Sequence, residues 1–270
     1  MIGTIRYVNS IGEEIVFGEG FWHYGKTDIF DTSCAHRSIG GRITGFERDI
    51  REMSLTVELA GPEEERRRLA DVTSYDVRTG RPGTLWANGC SMRCWIPGVA
   101  VSDWYQLEDR LTAELTVVSD DPVWVRSASV TLESRDDMVV GGLDYPHDYP
   151  HDYLYSAGAS VVMENPFRLP AKCDIYIPGP CSDPYVIIAG NRYKVLGDVD
   201  KGQLLIIRGY GDREIVVRHS DGTVRNVFDK RVTEDGARPF AEIPVGRSVA
   251  SWSGSYNVEV VMYEERTSPW

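Results

Sequence analysis

Basic runs are missing from this sequence. Lysine and arginine together number 29 against 41 aspartates and glutamates, a formal net charge of −12. Nucleic-acid binding rests on clustered cations that displace counterions from phosphate, so this balance argues against a nucleic-acid partner. Also missing is any apolar run near the roughly 20 residues that a bilayer-crossing helix needs. The opening MIGTIRYVNSIGEEIVF carries no basic leader ahead of an unbroken apolar core. No secretory signal is therefore expected, and a soluble protein made in a cytoplasm is.

Cysteine is sparse and oddly placed. The five residues are Cys34, Cys90, Cys94, Cys173 and Cys181. An odd count without an export signal argues against a disulfide framework. Zinc knuckles use C-x-x-C pairs, whereas CSMRC has one residue too many and no histidine pair follows it. Buried free thiols are the expectation. Catalytic signatures are missing too: there is no G-x-S-x-G, no H-E-x-x-H and no phosphate-binding glycine loop. His23, His36 and His219 are scattered, and Cys34 lies two residues from His36 in one loop, a poor geometry for a nucleophile and its base. A glycosidase needs two facing carboxylates; nothing in the sequence singles out a pair among the many present. No catalytic, cofactor-binding or metal-ligating residue is assigned.

What is present reads almost throughout as β-strand. In REMSLTVELAG, Met53, Leu55, Val57 and Leu59 alternate with polar residues, the period of two that gives a strand one apolar face. Leu111, Ala113, Leu115 and Val117 repeat the pattern, as do Val258, Val260 and Met262. Asn88-Gly89 and Asp221-Gly222 each separate two strand-like halves and suit type I′ hairpin turns. One segment, GPEEERRRLADVTSYDV, predicts a helix opening at Pro62, with Glu63, Glu64 and Glu65 at the positive end of its dipole. Glu63–Arg67 and Glu64–Arg68 are spaced as i,i+4 ion pairs, and Leu69 and Val72 form a modest apolar stripe.

The most unusual stretch is DYPHDYPHDY, from Asp144 to Tyr153. Pro146 and Pro150 forbid a helix, so the chain must be extended. Tyr145, Tyr149 and Tyr153 then share a face with His147 and His151, while the aspartates share the other with the prolines. Opposite faces cannot converge on one metal ion, so a stiff connector with an aromatic packing face is expected. Alternation breaks down just before it, in ESRDDMVVGGLD, which predicts a domain boundary near residue 143.

The order of these signals resembles the distal tail proteins of long-tailed phages, the siphovirus tail component family. RDIREMSLTVELAGPEEERRRLADVTSYDVRTGRPGTLWANGCSMRCWI is similar to that family's strand, charged helix and G-x-L-W-x-N-G hairpin. DDPVWVR, the Tyr-Pro-Asp-rich connector, ENPFRLPAKCDIYIPGPCSDPYVIIAGNRYKV and the closing IPVGRSVASW and VVMYEERTSPW follow in the same order. The resemblance implies a mostly β chain: an N-terminal β-sandwich belt domain with one surface helix (1–143), a connector (144–155) and a C-terminal galectin-like β-sandwich (156–270). It implies a homo-hexameric ring at the virion's tail tip. The partners it implies are the major tail tube protein, a tail-associated or fibre protein and the tape-measure protein, with assembly in the host cytoplasm. It implies no cofactor, no direct nucleic-acid binding and no membrane.

A closed ring needs two different complementary surfaces on each subunit. The helix face carrying Glu64, Arg67 and Arg68, and the connector face carrying Tyr145, Tyr149 and Tyr153, are the candidates. The alternative reading is a carbohydrate-binding receptor module in the second half, which predicts exposed aromatics among Trp252, Tyr210 and Tyr256. Trp270 is expected to pack on its own domain, with a partner contact as the other possibility.

Overall fold

The computed structural model describes residues 3–105, 109–134 and 159–270. It forms two compact units, one of residues 1–126 with 265–270, the other of residues 127–264. The boundary expected near residue 143 and the connector with Tyr145, Tyr149 and Tyr153 lie outside the described residues.

In chain order the first unit contains β1 (Ile5–Val8), β2 (Glu14–Phe17), β3 (Trp22–Thr27), β4 (Ala35–Ile39), β5 (Arg42–Glu47), β6 (Arg51–Ala60), α1 (Glu63–Thr79), β7 (Gly83–Ala87), β8 (Cys90–Tyr105) and β9 (Arg110–Ser119). β10 (Trp124–Leu132) leads into the second unit. The fold is mostly β and antiparallel. One sheet runs β2-β1-β7-β8-β10, and another runs β3-β6-β9-β8. The sixteen-residue β8 belongs to both. It pairs with β7 over Cys90–Cys94, slips register between Trp95 and Gly98, and pairs with β9 thereafter. Pro97 falls in that irregularity, where a missing N–H disrupts no ladder bond.

Alternation decides which side chains fill the core. Met53, Leu55, Val57 and Leu59 of β6 and Leu111, Ala113, Leu115 and Val117 of β9 are all buried, joined by Ile5, Tyr7, Leu85, Met92, Cys94 and Trp124. Asn88 (φ 50) and Gly89 (φ 76) make the expected type I′ turn between β7 and β8. β4 and β5 stand apart: they pair with each other and with no other described strand, and their side chains are exposed apart from the half-buried Gly45 position.

The second unit follows with β11 (Ala159–Asn165), β12 (Lys172–Pro178), β13 (Cys181–Ser182), β14 (Tyr185–Ile188), β15 (Asn191–Lys194), β16 (Asp198–Val199), β17 (Leu204–Arg208), β18 (Glu214–Arg218), β19 (Val224–Asn226), β20 (Gly246–Trp252) and β21 (Val258–Arg266). One sheet has the order β19-β18-β17-β12-β21 and another β11-β20-β14-β15. Their apolar faces make one core that includes Ile175, Ile177, Leu205, Ile207, Val258, Val260, Met262 and Trp252. Each unit is thus built as a sandwich of sheets.

Two turns differ from the sequence reading. At Asp221-Gly222 only Gly222 takes positive φ, at 84°. His219 N–H donates to the Thr223 carbonyl (2.8 Å), Gly222 N–H donates back to the His219 carbonyl (3.0 Å), and the Asp221 carboxylate accepts from Thr223 N–H (2.9 Å). This is a three-residue hairpin, because the Asp221 side chain stabilises a loop one residue longer than a type I′ turn allows. A type I′ turn does occur at Ala189 (φ 50) and Gly190 (φ 82), between β14 and β15. Alanine rarely takes that conformation, so residue type alone does not predict this turn.

The cysteines divide by burial. Cys90, Cys94 and Cys173 are buried, Cys181 is half-buried and Cys34 is exposed, a correction to the expectation that all five fill core space. Burial pushes the Cys94 and Cys173 thiols up to about 12. The Cys181 thiol rises to about 11, through burial and the nearby Asp198 charge. Thiolate is the reactive form, so a disulfide reagent on the native protein at pH 8 should modify Cys34 in a single fast phase. Cys34→Ser should abolish that phase, and the Cys90, Cys94 and Cys173 thiols should react only after denaturation.

Candidate assembly surfaces

The predicted helix is present, with Pro62 as its N-cap residue and Gly80 (φ 65) closing it in the left-handed region. Its buried positions are Leu69, Val72, Thr73 and Asp76, spaced i, i+3, i+4 and i+7 along one stripe. Polar contacts dock both ends. Near the N-terminus, Trp22 Nε1–H donates to Glu65 Oε2 (3.4 Å) and Arg68 Nη2 donates to the Glu14 carbonyl (2.8 Å). Near the C-terminus the Asp76 carboxylate is fully buried, accepting from Tyr7 Oη–H (2.6 Å) and from Ser10 N–H (2.9 Å).

These contacts separate the three helix candidates. Arg67 makes the expected pair with Glu63 (2.7 Å). Arg68 does not pair with Glu64; it reaches Glu65 (3.6 Å) and the Glu14 carbonyl instead. The backbone acceptor lies toward the body of the unit, and Arg68 turns to it, leaving Glu64 without an ion-pair partner among the described residues. Glu64, Arg67 and Arg68 line one shallow groove with Gly12, Glu13, Glu14, Asp71 and Val72. Arg67→Ala, which removes an exposed i,i+4 pair, should cost less than about 0.5 kcal/mol in urea unfolding. Arg68→Ala, which frees the Glu14 carbonyl, should cost about 1 kcal/mol.

Two of the three aromatic residues that a sugar platform would expose, Trp252 and Tyr256, are in the core of the second unit. Trp252 is buried, and its Nε1–H donates to the Tyr256 carbonyl (2.9 Å). Tyr256 is buried too; its hydroxyl donates to the Tyr185 carbonyl (2.8 Å) and accepts from Tyr185 N–H (2.8 Å). Both belong to the core, which overturns the expectation that they are exposed. Tyr210 is half-buried and stacks on Tyr263 with ring centroids 4.5 Å apart. Trp270 keeps 57% of its surface exposed while its ring lies 4.9 Å from that of Phe30, in the same unit.

The buried carboxylates, Asp76 and Asp174, are both engaged internally. Asp174 Oδ1 accepts from the backbone N–H groups of Gly209 (2.9 Å) and Tyr210 (3.0 Å), and Oδ2 from Tyr263 Oη–H (3.2 Å). Sequence reasoning missed both residues. Each sits in an ordinary polar position of its pattern, and only the tertiary fold brings the donors to it. Among the described residues no group of three or more His, Cys, Asp or Glu is arranged to hold a metal ion. No helix among them is long and apolar enough to cross a membrane.

No protein-family model matches the sequence, and no curated protein does. Solved structures do. A chain of the phage P2 baseplate in its activated conformation with calcium aligns over 99% of this chain and 99% of its own, with a TM-score of 0.60 and 12% identity. The same baseplate with strontium gives a TM-score of 0.59 at 12% identity and the same coverage. The SPP1 Dit protein, described as a paradigm of the hub adsorption apparatus in phages infecting Gram-positive bacteria, aligns over 97% of this chain and 98% of its own. Its TM-score is 0.53 at 11% identity. The chain has the fold of these phage proteins. The likeness spans both units and agrees with the family resemblance of the sequence, at identities where sequence comparison alone carries little.

Proposed function

We propose that this protein is the structural hub of a long-tailed phage tail tip. Six copies form a ring that joins the tail tube to tail-fibre or baseplate proteins. The observation that carries this reading is the end-to-end fold likeness to a baseplate chain and to a hub protein, at 99% and 97% coverage of this chain. In this reading residues 1–143 are the ring-forming belt, 144–155 the connector and 156–270 a galectin-like domain. The partners are the major tail tube protein, a tail-associated or fibre protein and the tape-measure protein, and the protein resides in the virion. Its role is assembly rather than catalysis. A net charge of −12 suits a ring through which DNA must pass without being gripped. Burial of Trp252 and Tyr256 removes support from the alternative, a carbohydrate-recognition module.

Light scattering across a concentration series, with negative-stain images of the large species, tests the proposal. A particle of six subunits with a central hole is the expected result. Absence of any ring, both alone and with the tail tube protein added, together with binding of host glycans would overturn it in favour of sugar recognition.

A further inference from the structure

Among the described residues, two surfaces of the first unit lack the apolar cover that their pattern calls for. The first is the β4–β5 hairpin. Cross-strand partners share a face, and β5 carries one extra residue where the register shifts between Arg37 and Ser38. Ile43 and Phe46 therefore lie on one face with His36 and Ser38, while Arg37, Ile39, Arg42 and Glu47 lie on the other. Phe46 is 71% exposed, and Ile43 is exposed beside it. An isolated two-stranded hairpin is marginal in water, and an uncovered apolar strand invites pairing.

The second surface is the far half of β8. There Val99, Val101 and Trp104 stand opposite Leu115, Ala113 and Leu111 of β9, so they point to the face on which β9 is buried. Yet all three are exposed, Trp104 at 62%. Among the described residues the core layer that covers β9 does not extend over Val99 and Val101, and Trp104 meets the Arg66 guanidinium of α1, 5.6 Å from its ring centroid, rather than an apolar layer. On this stretch one edge of β8 takes β9, and no described strand pairs with the other. The opposite face carries Asp103 and, from β9, Glu114, neither of which forms an ion pair with a described residue.

We propose that the hairpin of one copy adds to the free edge of β8 in a second copy of this chain. The two surfaces match in apolar character on one face and in charge, through Arg42, on the other. Edge-to-edge pairing lays Ile43 and Phe46 alongside Val99, Val101 and Trp104, and brings Arg42, which has no ion pair among the described residues, to the side of Asp103 and Glu114. Arg42, Ile43 and Phe46 of the arm thus meet Asp103, Glu114 and the exposed apolar residues of the edge, in a molecule of net charge −12. Because arm and edge are different surfaces, the contact is head-to-tail, the type that closes a ring. The inference rests on the ring reading above and supplies the two complementary surfaces that reading needs.

The experiment uses the full chain in three forms: wild type, an arm variant (Ile43→Asp with Phe46→Asp) and an edge variant (Val99→Asp with Val101→Asp). All four sites are exposed, and circular dichroism checks that each variant is folded. Light scattering should show wild-type assembly, a shift of the assembly concentration by roughly 100-fold or more in each variant, and dimers when the variants are mixed. Growth must stop at the dimer, since one intact arm meets one intact edge and nothing remains to extend. A variant that assembles like wild type, a mixture that stays monomeric, or a wild type monomeric at every concentration would overturn the docking. Rings that survive both variants would remove the docking and keep the ring. Open filaments that depend on both surfaces would keep the docking and remove the ring.

Discussion

Trp252→Ala should lower the stability of the second unit by about 4 kcal/mol, in the range for deleting a fully buried large aromatic side chain. The indole is 1% exposed at the end of β20, in the core with Val186, Ala250 and Val258, and its N–H holds the Tyr256 carbonyl. The substitution removes the ring, leaves a cavity and strips a buried carbonyl of its donor. Urea unfolding followed by far-UV circular dichroism gives the number. Trp252→Phe should recover most of the loss, because it restores aromatic volume but not the donor. A midpoint unchanged in Trp252→Ala would mean that the side chain faces solvent, as a sugar-stacking tryptophan would.

Asp76→Ala comes next, at about 3 kcal/mol in the first unit. The carboxylate is fully buried and is the acceptor for both Tyr7 Oη–H and Ser10 N–H. Removing it leaves two donors unpaired, each costing on the order of 1–3 kcal/mol when buried. Tyr7→Phe removes one donor, and the double variant should be less destabilised than the sum of the singles, by about 1 kcal/mol or more. The backbone at Gly83 is fitted to this pair. A Cβ there would come within 2.5 Å of Tyr7 Oη and 2.6 Å of Asp76 Oδ2, so Gly83→Ala must force the two apart and should approach the loss seen in Asp76→Ala. Burial raises the Tyr7 ionisation far above its ordinary value, reinforced by the hydrogen bond to Asp76. A phenol whose folded pKa is raised stabilises the fold fully below its unfolded pKa, so stability should decline as pH climbs past about 10.

Much of the fold was legible because strand periodicity is a local property. Every apolar residue assigned to an inward face in β6, β9 and β21 is buried, and Asn88-Gly89 turns as its residues demand. The helix is legible from its charges, but i,i+4 spacing pairs Arg68 with Glu64, whereas the side chain takes a backbone carbonyl 54 residues away in sequence. Only the carbohydrate-binding alternative requires Trp252 and Tyr256 to be exposed, and the polar stretch SWSGSY does not by itself reveal their burial. The polar residues make the turn while the rings fold inward. Asp76 and Asp174 were invisible for a related reason: a buried carboxylate is defined by donors that arrive from distant strands. The β4–β5 hairpin was likewise hidden. Only three dimensions reveal that no other described strand pairs with it.

β8 has a consequence for how the first unit comes apart. A strand that is hydrogen-bonded first into one sheet and then into the other cannot leave either alone without pulling on the second. Local opening would then have to break both ladders together, and the amides of β7 and β9 should exchange with deuterium at a shared, slow rate set by one cooperative event. Two layers that look separable on a topology diagram would behave as a single foldon.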